Sequence, residues 1–358
     1  MNEANTHTSP RPTAASPRSL PICEWPQSNR QAWEDACRPG IRLTPGGAAS
    51  YLTEVSRQDF ANRFGAFLGF LQRSGRLKLN AAVTTLVTLD NVEAYIAELK
   101  TRVRSGTVWN CIYKLRRAAE LMAPTSDFSW LAEIERDLTL VIEPKSKFHR
   151  TVFTQRLAEA GLTLVAEAQQ SAKNDLDRAR GVRNGLMVAL LAHCPIRIKN
   201  FATLEIGRTF KQVQDNWWIA LPACSTKTKR LDERRVPEIL NGALDLYLDQ
   251  SRPLLIGSNA PTDFLWISSR TGGRFTTKNL GTLISKITYR TLGVDVSPHL
   301  FRTAAATTAA MYGGSTPHLA SAVLRHTDSR VTEEHYIRAT SIEAAKAYAA
   351  IIRRRLST

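Results

Sequence analysis

Apolar residues recur at helical spacing along the first half of the chain. In "VSRQDFANRFGAFLGFLQRSG" Phe60, Phe64, Phe67, Leu68 and Leu71 fall on one face of a 3.6-residue period, and Gly75 is placed to end the helix. "TLDNVEAYIAELKTRV" opens with a Thr/Asp cap and continues through Val92, Tyr95, Ile96 and Leu99. "SGTVWNCIYKLRRAAELMA" sets Val108, Cys111, Ile112, Leu115 and Ala119 on its apolar side, and Thr107, Asn110, Lys114, Arg116 and Arg117 on the other. Residues 48–142 therefore read as a compact all-helical domain. The periodicity breaks at "EPKSKFHR", 143–150, where Pro144 and the basic Lys145, Lys147, His149 and Arg150 point to a linker.

Beyond the linker the pattern is mixed. "GVRNGLMVALLAHCP" predicts a buried helix. "NWWIALPA" and "RRVPEI" predict two strands, with "STKTKRLDE" as the hairpin between them, and "DFLWISS" predicts another short strand. Helices follow around "NLGTLISKITYRTLG", "HLFRTAAATTAAMYG", "TPHLASAVLRH" and "SIEAAKAYAAIIRRRL". The expected class is mainly α with a small β-sheet (α+β), and residues 151–358 make up the second domain. The first 47 residues hold seven of the 16 prolines and no apolar periodicity, and are expected to form a disordered or weakly ordered tail.

Charge narrows the partner. The 358 residues carry 48 Lys and Arg against 32 Asp and Glu, a net +16. The first 47 contribute five basic and four acidic residues, so nearly all the excess belongs to the folded part. Such an excess points to a polyanion. No apolar run approaches the ~20 residues of a membrane span, which favours nucleic acid over a membrane. The polar side of the third helix (Thr107, Asn110, Lys114, Arg116, Arg117), with Lys145 and Lys147, is the candidate DNA-binding surface; a solvated helix face is the alternative reading. The five cysteines are scattered, with no CxxC and no zinc-finger spacing, so reduced thiols and no metal are expected. No signal-peptide core follows Met1, and a cytoplasmic, nucleoid-associated protein is the expectation.

There is no GxxxxGK[ST], GxSxG or HExxH motif. What remains is an ordered set of side chains. Arg197 follows the buried helix in "CPIRIKNFATLEIG", and Lys227 and Lys229 lie in the hairpin. His299 and Arg302 stand three apart at the start of a small-residue helix, so both project from one face. His326 lies in "VLRHTDSRVTEEHY" and Tyr336 in "HYIRAT". Taken alone, Tyr336 would be a packing residue. Together these groups suit attack on a phosphodiester. Two guanidiniums can clamp its nonbridging oxygens bidentately, work that a metal does elsewhere. The histidines can bond the same phosphate, and one can help remove the phenol proton. With an unperturbed pKa near ~10, Tyr336 needs that help to act as a nucleophile.

The set resembles the tyrosine recombinase (phage integrase) family, in which an arginine box, a β-hairpin lysine, a His-x-x-Arg box, a Leu-Gly-His box and a C-terminal tyrosine occur in this order. The resemblance covers roughly residues 150–340, and the preceding helical domain is similar in size and position to the family's core-binding (SAM-like) domain. It implies that Arg197, Lys227, His299, Arg302, His326 and Tyr336 are catalytic, with Lys227 protonating the leaving 5′ oxygen. It further implies a site-specific recombinase working through a covalent 3′-phosphotyrosine and Holliday-junction strand exchange, without ATP, metal or other cofactor. The expected partners are double-stranded DNA held in a C-shaped clamp, three further protomers in a homotetramer on two sites, and a DNA-bending accessory protein. Three positions depart from the pattern. Asn200 stands where an acidic residue is usual, Pro195 where glycine is usual two before the arginine, and Arg325 where Leu-Gly-His has glycine. Lys229 is the alternative to Lys227. The last helix, with Ile342, Ala345, Tyr348, Ala349 and Ile352 on one face, is expected to dock on its own domain or on a neighbouring protomer. A type IB topoisomerase-like enzyme and a non-catalytic DNA-binding protein with a vestigial site are the rival readings.

Overall fold

A computed structural model describes residues 18–78, 80–143, 150, 152–227, 229–312, 323 and 349. The chain divides into two units, Met1–Lys145 and Ser146–Thr358.

The first unit is helical. Its elements are α1 (Gln27–Cys37), α2 (Glu54–Arg73), α3 (Val83–Leu86), α4 (Leu89–Arg102), α5 (Ser105–Met122) and α6 (Ser129–Leu140). Thr53 and Thr88 cap α2 and α4, their hydroxyls accepting from the amides of Ser56 and Asn91. The apolar stripes meet in one core: Phe64, Phe67, Leu68 and Leu71 of α2, Val92, Tyr95 and Leu99 of α4, and Val108, Ile112 and Leu115 of α5 are buried together. Phe60 packs at its edge, and Gly75 takes the left-handed turn after α2 at φ 70°.

The expectation of a weakly ordered tail over residues 1–47 needs correction from residue 18 onward. Leu20, Trp25, Trp33 and Ala36 belong to the same core. The Trp25 ring lies 5.1 Å from that of Phe64 and 6.3 Å from that of Trp33, and its indole N–H donates to the Leu20 carbonyl at 3.0 Å. The segment crosses α2 at Gly65, whose carbonyl accepts from the Leu20 amide at 3.0 Å. A side chain at Gly65 would put its Cβ 2.3 Å from the Leu20 oxygen, so only glycine permits the crossing. The prolines do not prevent this order, since Pro21 and Pro26 each sit immediately before a short helical segment. Trp25→Ala should therefore lower stability by about 3–5 kcal/mol, the usual cost of emptying a large aromatic site. Urea unfolding of the full chain checks it; a loss under ~1 kcal/mol would mean this segment adds nothing to the fold.

The second unit begins with the antiparallel helices α7 (Thr154–Ser171) and α8 (Asp175–His193). Leu186 to Leu191 of α8 are buried without a break, which makes this helix the centre of the unit. Gly161 and Gly185 let the two backbones touch: a Cβ on Gly161 would lie 2.5 Å from the Ala189 nitrogen. A short extended segment leads to α9 (Ile198–Ala202). Next comes an antiparallel sheet of β1 (Phe210–Val213), β2 (Asn216–Leu221) and β3 (Asp232–Arg235), in that order.

β1 was not anticipated, because four residues with only Phe210 buried give no readable alternation. β3 begins and ends earlier than "RRVPEI" suggests. It spans Asp232–Arg235, and Pro237, which has no amide to donate, lies beyond its end. "DFLWISS" forms isolated bridges, Glu205↔Phe264 and Ile267↔Arg274, rather than a strand, although Leu265, Trp266 and Ile267 are buried.

The chain continues through α10 (Asn241–Asp245), a π-helical turn (Leu246–Ser251) and α11 (Arg252–Ile256) to α12 (Thr277–Leu292) and α13 (Pro298–Tyr312). Thr276 caps α12, and Gly293 at φ 71° ends it. The helices expected near 316–326 and 341–355 lie outside the described residues, apart from Val323 and Ala349. The described residues are mostly helical with one small three-stranded sheet. Among the described residues, no helix is long and apolar enough to cross a membrane.

Candidate active site

The extended segment after α8 and the first turn of α13 come together. Arg302, just beyond that first turn, is only 6% exposed, and its guanidinium donates to the carbonyl of Pro195. Proline at position 195 leaves this bond intact, because the acceptor is the backbone oxygen, which every residue has. Two residues on, Arg197 is half-buried with extended backbone and sits at the N-cap of α9. Burial pushes the Arg302 guanidinium down to about 10, the positive charges of Arg197 and Arg234 push the same way, and Asp232 opposes them. Arg302 thus remains a cation at neutral pH, held in a place where an anion would be welcome. His299, one turn earlier on α13, is exposed, so the His-x-x-Arg pair runs from the surface to the interior.

Lys227 is exposed in the loop between β2 and β3. Its neighbour Thr226 is buried and ties the loop: the hydroxyl donates to the Arg230 carbonyl at 2.8 Å and accepts from the Arg230 amide at 3.1 Å. Lys229, the alternative, is also exposed and takes a left-handed backbone at φ 51°. His326 and Tyr336 lie outside the described residues, as does Arg325.

Two residues that sequence reading passed over sit beside Arg302. Asp232 and Arg234 are two apart on β3, opposite Leu221 and Ile219 of β2. Both partners on β2 are buried, so the acid and the base share the core-facing side of the sheet. Arg234 donates to Asp232 through Nε at 2.8 Å and Nη2 at 3.0 Å, and through Nη1 to the Val323 carbonyl at 2.8 Å. The available signal was the register itself, which places charges opposite two apolar residues.

The candidate DNA-binding residues fare unevenly. The basic side chains of α5 form ion pairs within their own unit, so they are not the open face expected. Arg116 bonds Glu135 of α6 at 2.6 Å and Glu120 at 2.6 Å, and its side chain is 18% exposed. Arg117 shares Glu120, and Lys114 pairs with Asp59 of α2. Thr107, by contrast, is exposed, and lines a groove with Arg18, Arg63 and Arg102; Asn110 is half-buried. Lys145 and Lys147 lie outside the described residues. Arg183, on α8, is only 3% exposed: it donates to the Ile267 carbonyl at 2.8 Å and lies over the Phe275 ring at 5.2 Å.

The chain is similar to known proteins in both fold and sequence. The XerH site-specific recombinase bound to difH substrate has the same fold, with a TM-score of 0.53 over 82% of this chain and 80% of that one at 15% identity. So does the Tn1549 transposon integrase in complex with transposon right end DNA, with a TM-score of 0.53 over 89% of this chain and 99% of that one at 13% identity. This chain therefore shares the fold of these two proteins. In sequence, the chain is 32% identical over 133 residues to the tyrosine recombinase XerC of Oceanobacillus iheyensis, a match covering 36% of this chain and 41% of that relative. The phage integrase family pattern matches residues 162–342, half of the chain, and the chain belongs to that family.

Proposed function

We propose that the protein is a site-specific DNA recombinase that cuts and rejoins duplex DNA through a 3′-phosphotyrosine at Tyr336. The observation that supports this most is the convergence of Arg302 on the Pro195 carbonyl, two residues from Arg197. Residues from α13 and from the segment after α8 thereby contribute two cations to one place. A phosphodiester gathers charge on its nonbridging oxygens as it is attacked, and fixed guanidiniums stabilise that charge without rearranging. Lys227, on an exposed loop, donates a proton to the leaving 5′ oxygen. His299 and His326 complete the phosphate contacts. The new tyrosyl ester replaces the broken phosphodiester, so the free 5′ hydroxyl of a partner strand can reverse the step without ATP. Double-stranded DNA is the partner, and strand exchange between two sites calls for an assembly of four protomers.

The test uses a duplex enriched from a random-sequence pool by the full-length chain, nicked so that the cleaved strand diffuses away. An SDS-resistant protein–DNA adduct should accumulate in excess EDTA without ATP, since arginines and not a metal neutralise the phosphate. Strict dependence of cleavage on Mg²⁺ would contradict the mechanism. Adducts that relax supercoils but never join two DNA partners would favour the topoisomerase reading.

A further inference from the structure

We propose that the buried Asp232–Arg234 pair on β3 is a positioning device for DNA cleavage, set beside Arg302 on one side and bonded to the backbone of Val323, three residues before His326 in the chain, on the other. This rests on the recombinase reading above. The pair is an unusual occupant of its place. Asp232 and Arg234 lie on the core-facing side of an edge strand, opposite Leu221 and Ile219, with side chains 12% and 13% exposed. Two apolar residues would fill such positions at least as stably, because the attraction within a buried ion pair barely offsets the loss of hydration. Fold stability alone does not call for the charges.

What the pair reaches does account for them. Arg234 spends its planar fork in two directions: Nε and Nη2 on the Asp232 carboxylate at 2.8 and 3.0 Å, and Nη1 on the carbonyl of Val323 at 2.8 Å. Val323 stands three residues before His326. On the other side, the segment whose Pro195 carbonyl receives Arg302 lies against β3, where the Cys194 thiol is 3.9 Å from the Arg235 oxygen. Asp232 and Arg234 also act electrostatically on Arg302 with opposite signs, so the bound pair tempers the field there rather than adding a bare charge. The Arg234 guanidinium thus ties β3 to the Val323 backbone, and the next residue of β3 lies against the segment that receives Arg302. Lysine, a single point charge on a flexible stem, cannot make both sets of bonds at once.

The experiment is a single-turnover cleavage assay with the full-length chain on the enriched, nicked duplex, run in two forms. One duplex is ordinary. In the other, the phosphate that the adduct maps as scissile carries a 5′-bridging sulfur, whose thiolate leaves without needing a proton. Arg234→Lys should bind DNA and melt like the unsubstituted chain, yet cleave ~10–100-fold more slowly on both duplexes, the usual loss when a supporting residue of a site is changed. Lys227→Ala should be slow on the ordinary duplex and recover on the sulfur one. Asp232→Asn/Arg234→Gln, which removes both charges and leaves no lone ion inside, should be slow on both duplexes and carries the test if Arg234→Lys does not fold. Cleavage by these variants at the unsubstituted rate would overturn the proposal. So would recovery on the sulfur duplex, which would assign the pair to Lys227, or a loss of binding that accounts for the slower rate. If the unsubstituted chain forms no adduct on either duplex, the recombinase reading fails and this proposal falls with it.

Discussion

Tyr336→Phe should bind the enriched duplex as tightly as the unsubstituted chain and form no SDS-resistant adduct. The two halves of this expectation have different physical origins. Binding to duplex DNA is dominated by cations meeting phosphates, and the chain brings a net charge of +16 to it, so one hydroxyl contributes little. Cleavage needs an atom that becomes covalently attached, and phenylalanine has none to offer. Removing a nucleophile typically costs on the order of 10⁴–10⁶ in rate, and a water attacking in its place would leave free ends rather than a trapped protein. Gel shift and denaturing gels on the same samples separate the two effects. An adduct that survives in the Phe variant would exclude Tyr336 as nucleophile.

The second large effect is expected at Arg302. Arg302→Lys keeps the charge but loses the planar fork that can bond the Pro195 carbonyl and still face a phosphate. The single-turnover rate should fall ~10²–10³-fold, the loss typical of removing one preorganised donor from a developing oxyanion. Binding should weaken by less than about tenfold, because one phosphate contact among many is at stake. The thermal midpoint should move little, since the guanidinium now bears a cost of burial that lysine can relieve by reaching toward water. A lysine variant that cleaves at the full rate would show that Arg302 serves packing rather than the phosphate.

What the sequence made legible follows from where its signals are strong. α2, α4 and α5 were readable because each has a full apolar stripe, and two of them have a threonine cap. The order of residues 18–47 was not, because Leu20, Trp25 and Trp33 are single anchors without a period, set among prolines that resemble a linker. Arg302 could be picked out by its spacing from His299, and its burial against Pro195 is a tertiary fact that spacing leaves open. Arg116 read as part of a basic helix face; Glu120, four residues on, is a partner that spacing offers, but Glu135 is 19 residues away on α6, beyond any local pattern. Asp232 and Arg234 were missed for a related reason. Charged residues at alternate strand positions suggest a solvent face, and only the pairing with Ile219 and Leu221 turns them inward.

Covalent attachment of DNA to one side chain can be detected directly. The adduct formed in EDTA is digested with nuclease and trypsin, and the nucleotide-bearing peptide is sequenced by mass spectrometry. Cleavage after Arg330 and Arg338 releases "VTEEHYIR". Tyr336 in this peptide should carry a nucleotide joined through its 3′ phosphate. A nucleotide on any other residue, or one joined through its 5′ phosphate, would contradict the mechanism.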